Sequence, residues 1–310
     1  MMRGRNTMDT QEMINEINKL KREKKAIILA HNYQASEVQD IADFVGDSLG
    51  LSRRAANTDA DIIVFCGVHF MAESAKIFSP DKKVLLPAYD AGCPMADMID
   101  ADQLRVLKKK YPNVPVVCYI NSSAEVKAES DICCTSANAV KVVQSIDSDK
   151  VLFVPDQNLG NYVAKQIPQK DVICWEGFCI THHKVKCNVL DMVRKHRSNT
   201  KILVHPECNP DVVAKADFVG STSQIIQYVE ESDEKEFVIG TEMGVLHSLE
   251  KQNPDKKFYL LSPSLICVNM KKTRLEDVYR ALKDEIYEIE VDKDIMAAAK
   301  NSLERMLKVS

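Results

Sequence analysis

The chain has 310 residues, a formal net charge of −4 and 45% hydrophobic residues, which is long for one ordinary domain and apolar enough for a sizeable core. The mild negative charge excludes a global attraction to nucleic acid or anionic membrane, and no apolar run reaches the roughly 18–20 residues that span a bilayer. Residues 1–8 carry arginines with no apolar segment behind them, so no secretory signal is expected and the chain is read as cytoplasmic. Ten cysteines in that compartment point some of them to metal, cluster or redox chemistry, not to a disulfide framework.

Met13, Ile14, Ile17 and Leu20 recur at helical spacing and predict a helix over 9–25. The apolar run 26–30 predicts a buried strand ending in His31-Asn32-Tyr33-Gln34. Helices over 37–44 and 49–57 follow, separated by Gly46-Asp47-Ser48. A strand over 61–65, a helix over 71–78 and a strand over 83–86 lead to a loop with Cys93. The order then restarts. A helix over 102–110 precedes a strand over 114–118 that ends in Tyr119-Ile120-Asn121, and Thr135-Ser136 opens a helix over 137–144. A strand over 150–154, a helix to about 167 and a strand over 171–175 lead to Cys179. In a third round a helix over 189–196 precedes a strand over 201–204 ending in His205-Pro206-Glu207, and Gly220-Ser221-Thr222 opens a helix over 224–230. A strand over 236–239, a helix to about 252 and a strand over 257–261 lead to Cys267. Thr273 with Glu276 reads as a capping box for a helix to about 287, and Asp292 caps a last helix.

Three series run in phase through this order. The strand-end pairs His31/Tyr33, Tyr119/Asn121 and His205/Glu207 start 88 and 86 residues apart. Ser48, Ser136 and Thr222, at helix openings, repeat at 88 and 86, and Cys93, Cys179 and Cys267 at 86 and 88. Three series in phase imply triplication of a βαβα unit. Alternating apolar strands and helices imply an α/β fold of three homologous three-layer αβα domains with short parallel sheets. The modules are read as 1–95, 96–182 and 183–271, with 272–310 packing on the first as a closing element. Ligand-binding groups in such folds lie at the carboxyl ends of strands, so modules meeting around a pseudo-threefold axis would converge all three series on one cavity.

Residue type then sets the chemistry. Hydroxyls at helix starts, with free backbone N–H groups behind them, form anion sites suited to carboxylates or a phosphate. His31 and His205 can donate to carboxylates or shuttle protons. Glu207, the one carboxylate among the strand-end groups, is the candidate general base, and Tyr33 and Tyr119 are acids or orienting groups. Three thiolates leave one position open on a [4Fe–4S] cluster or on a zinc ion, so the thiol count does not choose the metal.

At these residues the sequence resembles the quinolinate synthetase A family. The similarity runs in order from about residue 16 to 307. It includes His31-Asn32-Tyr33-Gln34, Pro155-Asp156-Gln157-Asn158-Leu159-Gly160, Gly177-Phe178-Cys179-Ile180-Thr181-His182, His205-Pro206-Glu207-Cys208 and Gly220-Ser221-Thr222-Ser223. The resemblance implies a carbon–carbon bond-forming transferase of NAD biosynthesis that condenses iminoaspartate with dihydroxyacetone phosphate to quinolinate, losing phosphate and water. It implies one [4Fe–4S] cluster per chain on Cys93, Cys179 and Cys267. It implies a substrate site of His31, Tyr33, Ser48, Tyr119, Asn121, Ser136, His182, His205, Glu207, Ser221 and Thr222, with Glu207, Tyr33 and His205 catalytic. A transient contact with the enzyme supplying iminoaspartate is a further expectation; nucleic acid and membrane are not expected partners. Read singly, each of these residues has a plainer role: a Ser or Thr before a helix is usually an N-cap, and cysteines such as Cys66, Cys118 and Cys174 are core filler. Another iron–sulfur hydro-lyase and a non-catalytic metal or redox sensor are the competing functions.

Overall fold

A computed structural model describes residues 8–309; the N-terminal segment read above as lacking a signal lies almost entirely outside them. The first unit runs α1 (Thr10–Glu23), β1 (Ala26–His31), α2 (Ser36–Ile41), β2 (Phe44–Gly46), α3 (Ser48–Ala56), β3 (Ile62–Cys66), α4 (His69–Phe78) and β4 (Lys83–Leu85). The second runs α5 (Ala101–Lys110), β5 (Val116–Tyr119), α6 (Ala124–Ala128), β6 (Ile132–Cys134), α7 (Ala139–Ser145), β7 (Lys150–Val154), α8 (Gln157–Gln166) and β8 (Asp171–Cys174). The third runs α9 (Ile180–His183), α10 (Cys187–His196), β9 (Lys201–Val204), α11 (Pro210–Lys215), β10 (Phe218–Val219), α12 (Thr222–Glu231), β11 (Glu236–Gly240), α13 (Val245–Gln252) and β12 (Lys257–Leu260). Helices α14 (Leu275–Asp284) and α15 (Lys293–Val309) complete the chain.

Each unit builds a four-stranded parallel sheet with one shared order: β2-β1-β3-β4, β6-β5-β7-β8 and β10-β9-β11-β12. The central strands are apolar and buried, as the runs Ile27–Ala30, Val116–Cys118 and Ile202–Val204 require. The αβα architecture inferred from the alternating pattern is therefore present three times.

The edge strands β2, β6 and β10 correct the sequence reading, which carried a helix through Phe44 and saw three strands per unit. They are two or three residues long, too short to show a period. An aspartate fixes each one. Asp43 accepts the Ile28 N–H at 2.8 Å, Asp131 the Val116 N–H at 2.7 Å and Asp217 the Ile202 N–H at 2.7 Å. The N–H of each aspartate returns to the carbonyl of the same partner.

Two capping expectations also change. At α14 the Arg274 N–H donates to Asp277, and Thr273 with Glu276 forms no box; the helix stops at Asp284, where Glu285 and then Tyr287 take left-handed φ values of 52° and 64°. Asp292 does cap α15, accepting from the Asp294 and Ile295 N–H groups. Helix α14 buries Leu275, Val278 and Leu282 with Met13 and Ile17 of α1, on the first sheet. Helix α15 buries Leu303 and Met306. Its Ser302 hydroxyl donates to the Lys127 carbonyl of α6, and Arg305 donates to the Asp131 carbonyl, so α15 lies on the second sheet.

Candidate active site

In each sheet the chain leaves the first strand toward one edge and the third strand toward the other. The carboxyl ends of these two strands are the topological switch point, where a crevice opens. His31 ends β1, Tyr119 ends β5 and His205 follows β9, while Asp156 follows β7 and Thr241 and Glu242 follow β11. The three switch points line a single cavity. His31, Tyr33, Ser48, Tyr119, Asn121, Ser136, His182, His205, Glu207, Thr222 and all three loop cysteines face it. Ser221 does not line it. That side chain is fully buried and caps α12 by accepting the Gln224 N–H. Asp47 does the same for α3. Ser48 and Thr222 are therefore first helical residues, not caps, so their hydroxyls do not serve the helix ends. Ser136 sits ahead of α7, where Asn138 is the N-cap residue.

Glu207 is the centre of the polar network. Its Oε1 accepts the Tyr119 hydroxyl at 2.6 Å, and its Oε2 lies 2.7 Å from His182 Nδ1. A carboxylate only accepts, so His182 carries its proton on Nδ1. His182 Nε2 then accepts from Thr241 Oγ1 at 3.0 Å, and that hydroxyl lies 2.6 Å from the Tyr33 hydroxyl. Tyr33 also meets Thr222 Oγ1 at 2.8 Å. The chain from Tyr33 to Tyr119 thus crosses all three units. Burial drives the Glu207 carboxyl up, but the hydrogen bonds from His182 and Tyr119 favour the charged form and hold the group below the usual carboxylate range. Burial, then Glu207, pushes both phenols well above their ordinary value, so they stay neutral donors.

His31 and His205 are neutral. Burial lowers each to about 3, with Lys271 adding to the effect at His31. The Tyr33 N–H donates to His31 Nδ1 at 3.1 Å and the Glu207 N–H to His205 Nδ1 at 3.3 Å. Both rings therefore carry hydrogen on Nε2, and that of His205 faces Ser136 Oγ at 3.1 Å. Asn121 Oδ1 is buried with no hydrogen-bond partner, an acceptor lining the cavity.

Two acids that the sequence reading passed over shape the cysteine loops. Asp156 accepts the Cys179 N–H at 2.9 Å and Glu242 the Cys267 N–H at 3.0 Å. The aligned residue in the first unit is Val68. Burial pushes Cys93 up to about 12, and raises Cys179 and Cys267 as well. Backbone N–H groups nevertheless point at each sulfur: Ala96 and Met95 at Cys93, His182 at Cys179, Met270 and Asn269 at Cys267. Three half-buried thiols, each met by N–H dipoles, form a donor set that becomes anionic only around a cation. A different trio, Cys179, His182 and Glu207, could also hold a metal ion.

The sequence model of the quinolinate synthetase A protein family matches residues 15–308. The chain belongs to that family. It is 67% identical over 302 residues to the quinolinate synthase of Alkaliphilus metalliredigens (strain QYMF), covering 97% of this chain and all of the relative. It is 60% identical to that of Caldicellulosiruptor bescii over the same shares, and 54% to that of Geobacter metallireducens over 97% of this chain and 99% of the relative. Membership in this enzyme family agrees with the resemblance noted from the motifs. Among the described residues no helix is long and apolar enough to cross a membrane.

Thr241 is the family member's main site residue that sequence reasoning missed. Its repeat positions hold Gly67 and Pro155, so no series marks it. The only available signal was its place, directly after a predicted third strand.

Proposed function

We propose that this chain condenses iminoaspartate with dihydroxyacetone phosphate to quinolinate, releasing phosphate and water, as a cytoplasmic enzyme of NAD biosynthesis. One observation carries the reading: a single cavity joins an anionic Glu207, two neutral histidines with hydrogen on Nε2, the hydroxyls of Ser48, Ser136 and Thr222 and three thiols. The reading takes the modules as 1–95, 96–182 and 183–271, related by a pseudo-threefold axis through that cavity.

The three thiols fit a [4Fe–4S] cluster, since they line one cavity and are met by N–H dipoles. Held by Cys93, Cys179 and Cys267, such a cluster supplies one iron without a protein ligand, a Lewis acid toward a substrate oxygen. The remaining work falls to side chains. His31 Nε2–H and the hydroxyls of Ser48, Ser136 and Thr222 receive the carboxylates of iminoaspartate and the phosphate of the triose. Asn121 Oδ1, lacking a donor, accepts from the substrate nitrogen or a hydroxyl. Glu207, held by the bonds from His182 and Tyr119, takes the proton removed during isomerisation and ring closure. Tyr33, neutral and held by two threonines, donates a proton to a departing oxygen. His205 holds Ser136 in place.

The test is anaerobic incubation of iron–sulfide-reconstituted protein with both substrates and detection of quinolinate. Quinolinate formation, lost in Cys267→Ala together with the cluster absorption, is the expected outcome. A zinc-loaded colourless native protein, or a cluster-bearing protein that dehydrates a hydroxy acid and makes no quinolinate, would overturn the reading.

A further inference from the structure

Cys179 belongs to a second donor set that excludes Cys93 and Cys267. Its Sγ lies 3.2 Å from His182 Nδ1, and His182 Nδ1 lies 2.7 Å from Glu207 Oε2. The three donor atoms all fall within 4.8 Å of one another. A thiol, an imidazole and a carboxylate are the donor types that bind zinc and its neighbours in the transition series. We propose that the cluster-free chain binds one divalent ion of the zinc or cobalt class on Cys179 Sγ, His182 Nδ1 and Glu207 Oε2. Ion and cluster then exclude each other, because both require Cys179 Sγ. This deepens the cluster reading at one cysteine, but it stands on its own donor atoms.

The outer partners of such a site are already in place. A metal-bound histidine turns its other ring nitrogen to an oxygen that fixes the tautomer, and Thr241 Oγ1 lies 3.0 Å from His182 Nε2. The free oxygen of the carboxylate is held too, since Glu207 Oε1 accepts the Tyr119 hydroxyl. His182 and Glu207 are 1% and 3% exposed, so charge balance decides whether an ion can enter. A thiolate and a carboxylate neutralise a divalent cation, which removes most of the cost of burying it. Bond lengths of about 2.0–2.3 Å give tetrahedral edges of roughly 3.3–3.8 Å. The 2.7 Å pair must therefore open by about 0.6 Å and the 3.2 Å pair by about 0.3 Å. Loading releases the Cys179 thiol proton and moves the His182 proton from Nδ1 to Nε2, where Thr241 accepts it.

The probe is Co²⁺, titrated anaerobically into the full-length chain stripped of iron, with thiolate-to-cobalt charge-transfer absorption as the readout. One ion per chain with the intensity of a single thiolate is expected, and Zn²⁺ should displace it. Cys93→Ala/Cys267→Ala should keep the band, and His182→Gln or Glu207→Gln should abolish it. Thr241→Val, which removes an outer partner and no ligand, should weaken binding about 10- to 100-fold. Circular dichroism and thermal unfolding check that each variant is folded. Binding that needs Cys93 and Cys267 but not His182 or Glu207 would place the ion in the three-thiol cradle and overturn the proposal, as would absence of Co²⁺ binding. Failure of the cluster reading looks different: the wild-type chain would bind Co²⁺ as described yet never take up iron and sulfide.

Discussion

Tyr119→Phe isolates the bond that keeps Glu207 anionic. The phenol donates to Glu207 Oε1 at 2.6 Å inside a cavity where both side chains are almost fully buried. A hydrogen bond to a charged group contributes about 1.5–3 kcal/mol, and Phe keeps the ring while deleting only that donor. Only the part of the bond that persists into the transition state lowers kcat when it is lost, so the fall is at most about 150-fold. The same energy, at about 1.4 kcal/mol per unit, raises the Glu207 carboxyl by about one to two units. The sign follows from the base being active as the anion. In the wild type a carboxyl held low stays ionised well into the acid range, and in Tyr119→Phe the acid limb of kcat moves up toward neutral pH. Steady-state quinolinate formation across pH, on protein of matched iron and sulfide content, reads both effects. Wild-type kcat with an unmoved acid limb would refute Glu207 as the base that Tyr119 tunes.

Three further outcomes concern the frame. Lys127 is fully buried and donates to the Ser122 carbonyl at 2.6 Å and the Phe70 carbonyl at 3.3 Å, beside Glu73. Lys127→Met leaves the Ser122 and Phe70 carbonyls without that donor and should destabilise by about 1–3 kcal/mol, read as a fall of the unfolding midpoint in urea. Asp217→Ala removes the acceptor of the Ile202 N–H and should cost about 1–3 kcal/mol in the same assay, with protease nicking near β10 as its local sign. Glu285 bonds Lys24 and Lys83, each at 2.6 Å, and these two lysines hold it down to about 2. Its stabilisation is fully present above the unfolded carboxyl value of about 4.3 and is lost as pH falls through about 2. Glu285→Gln should therefore be less stable than wild type at neutral pH, and thermal midpoints of the two should converge between those limits.

The repeat was legible because function and fold both act on it. First-strand ends and loop cysteines recur at one spacing, since a parallel unit always delivers its switch point at the same distance along the chain. The edge strands were equally periodic, but their signal was written in one residue. Asp43, Asp131 and Asp217 recur at 88 and 86 and read as ordinary polar turn residues until their side chains are seen holding strand N–H groups.

What the series could not show is where the three units stop being alike. The position after the third strand holds Gly67, Pro155 and Thr241, and the next holds Val68, Asp156 and Glu242. Symmetric copies would have supplied three equal carboxylates beneath the cysteine loops. In this cavity their mutual repulsion would raise each carboxyl and favour protonation, as burial and then Glu207 already do to Asp156. Placing Val68 in the first unit, beside Cys93, removes one of these charges, and Lys271 pairs with Glu242 at 2.9 Å to offset another. Glu207 can then remain the anion bonded to Tyr119 and His182. The broken symmetry is therefore part of the electrostatics that leaves one base in a cavity built from three related units.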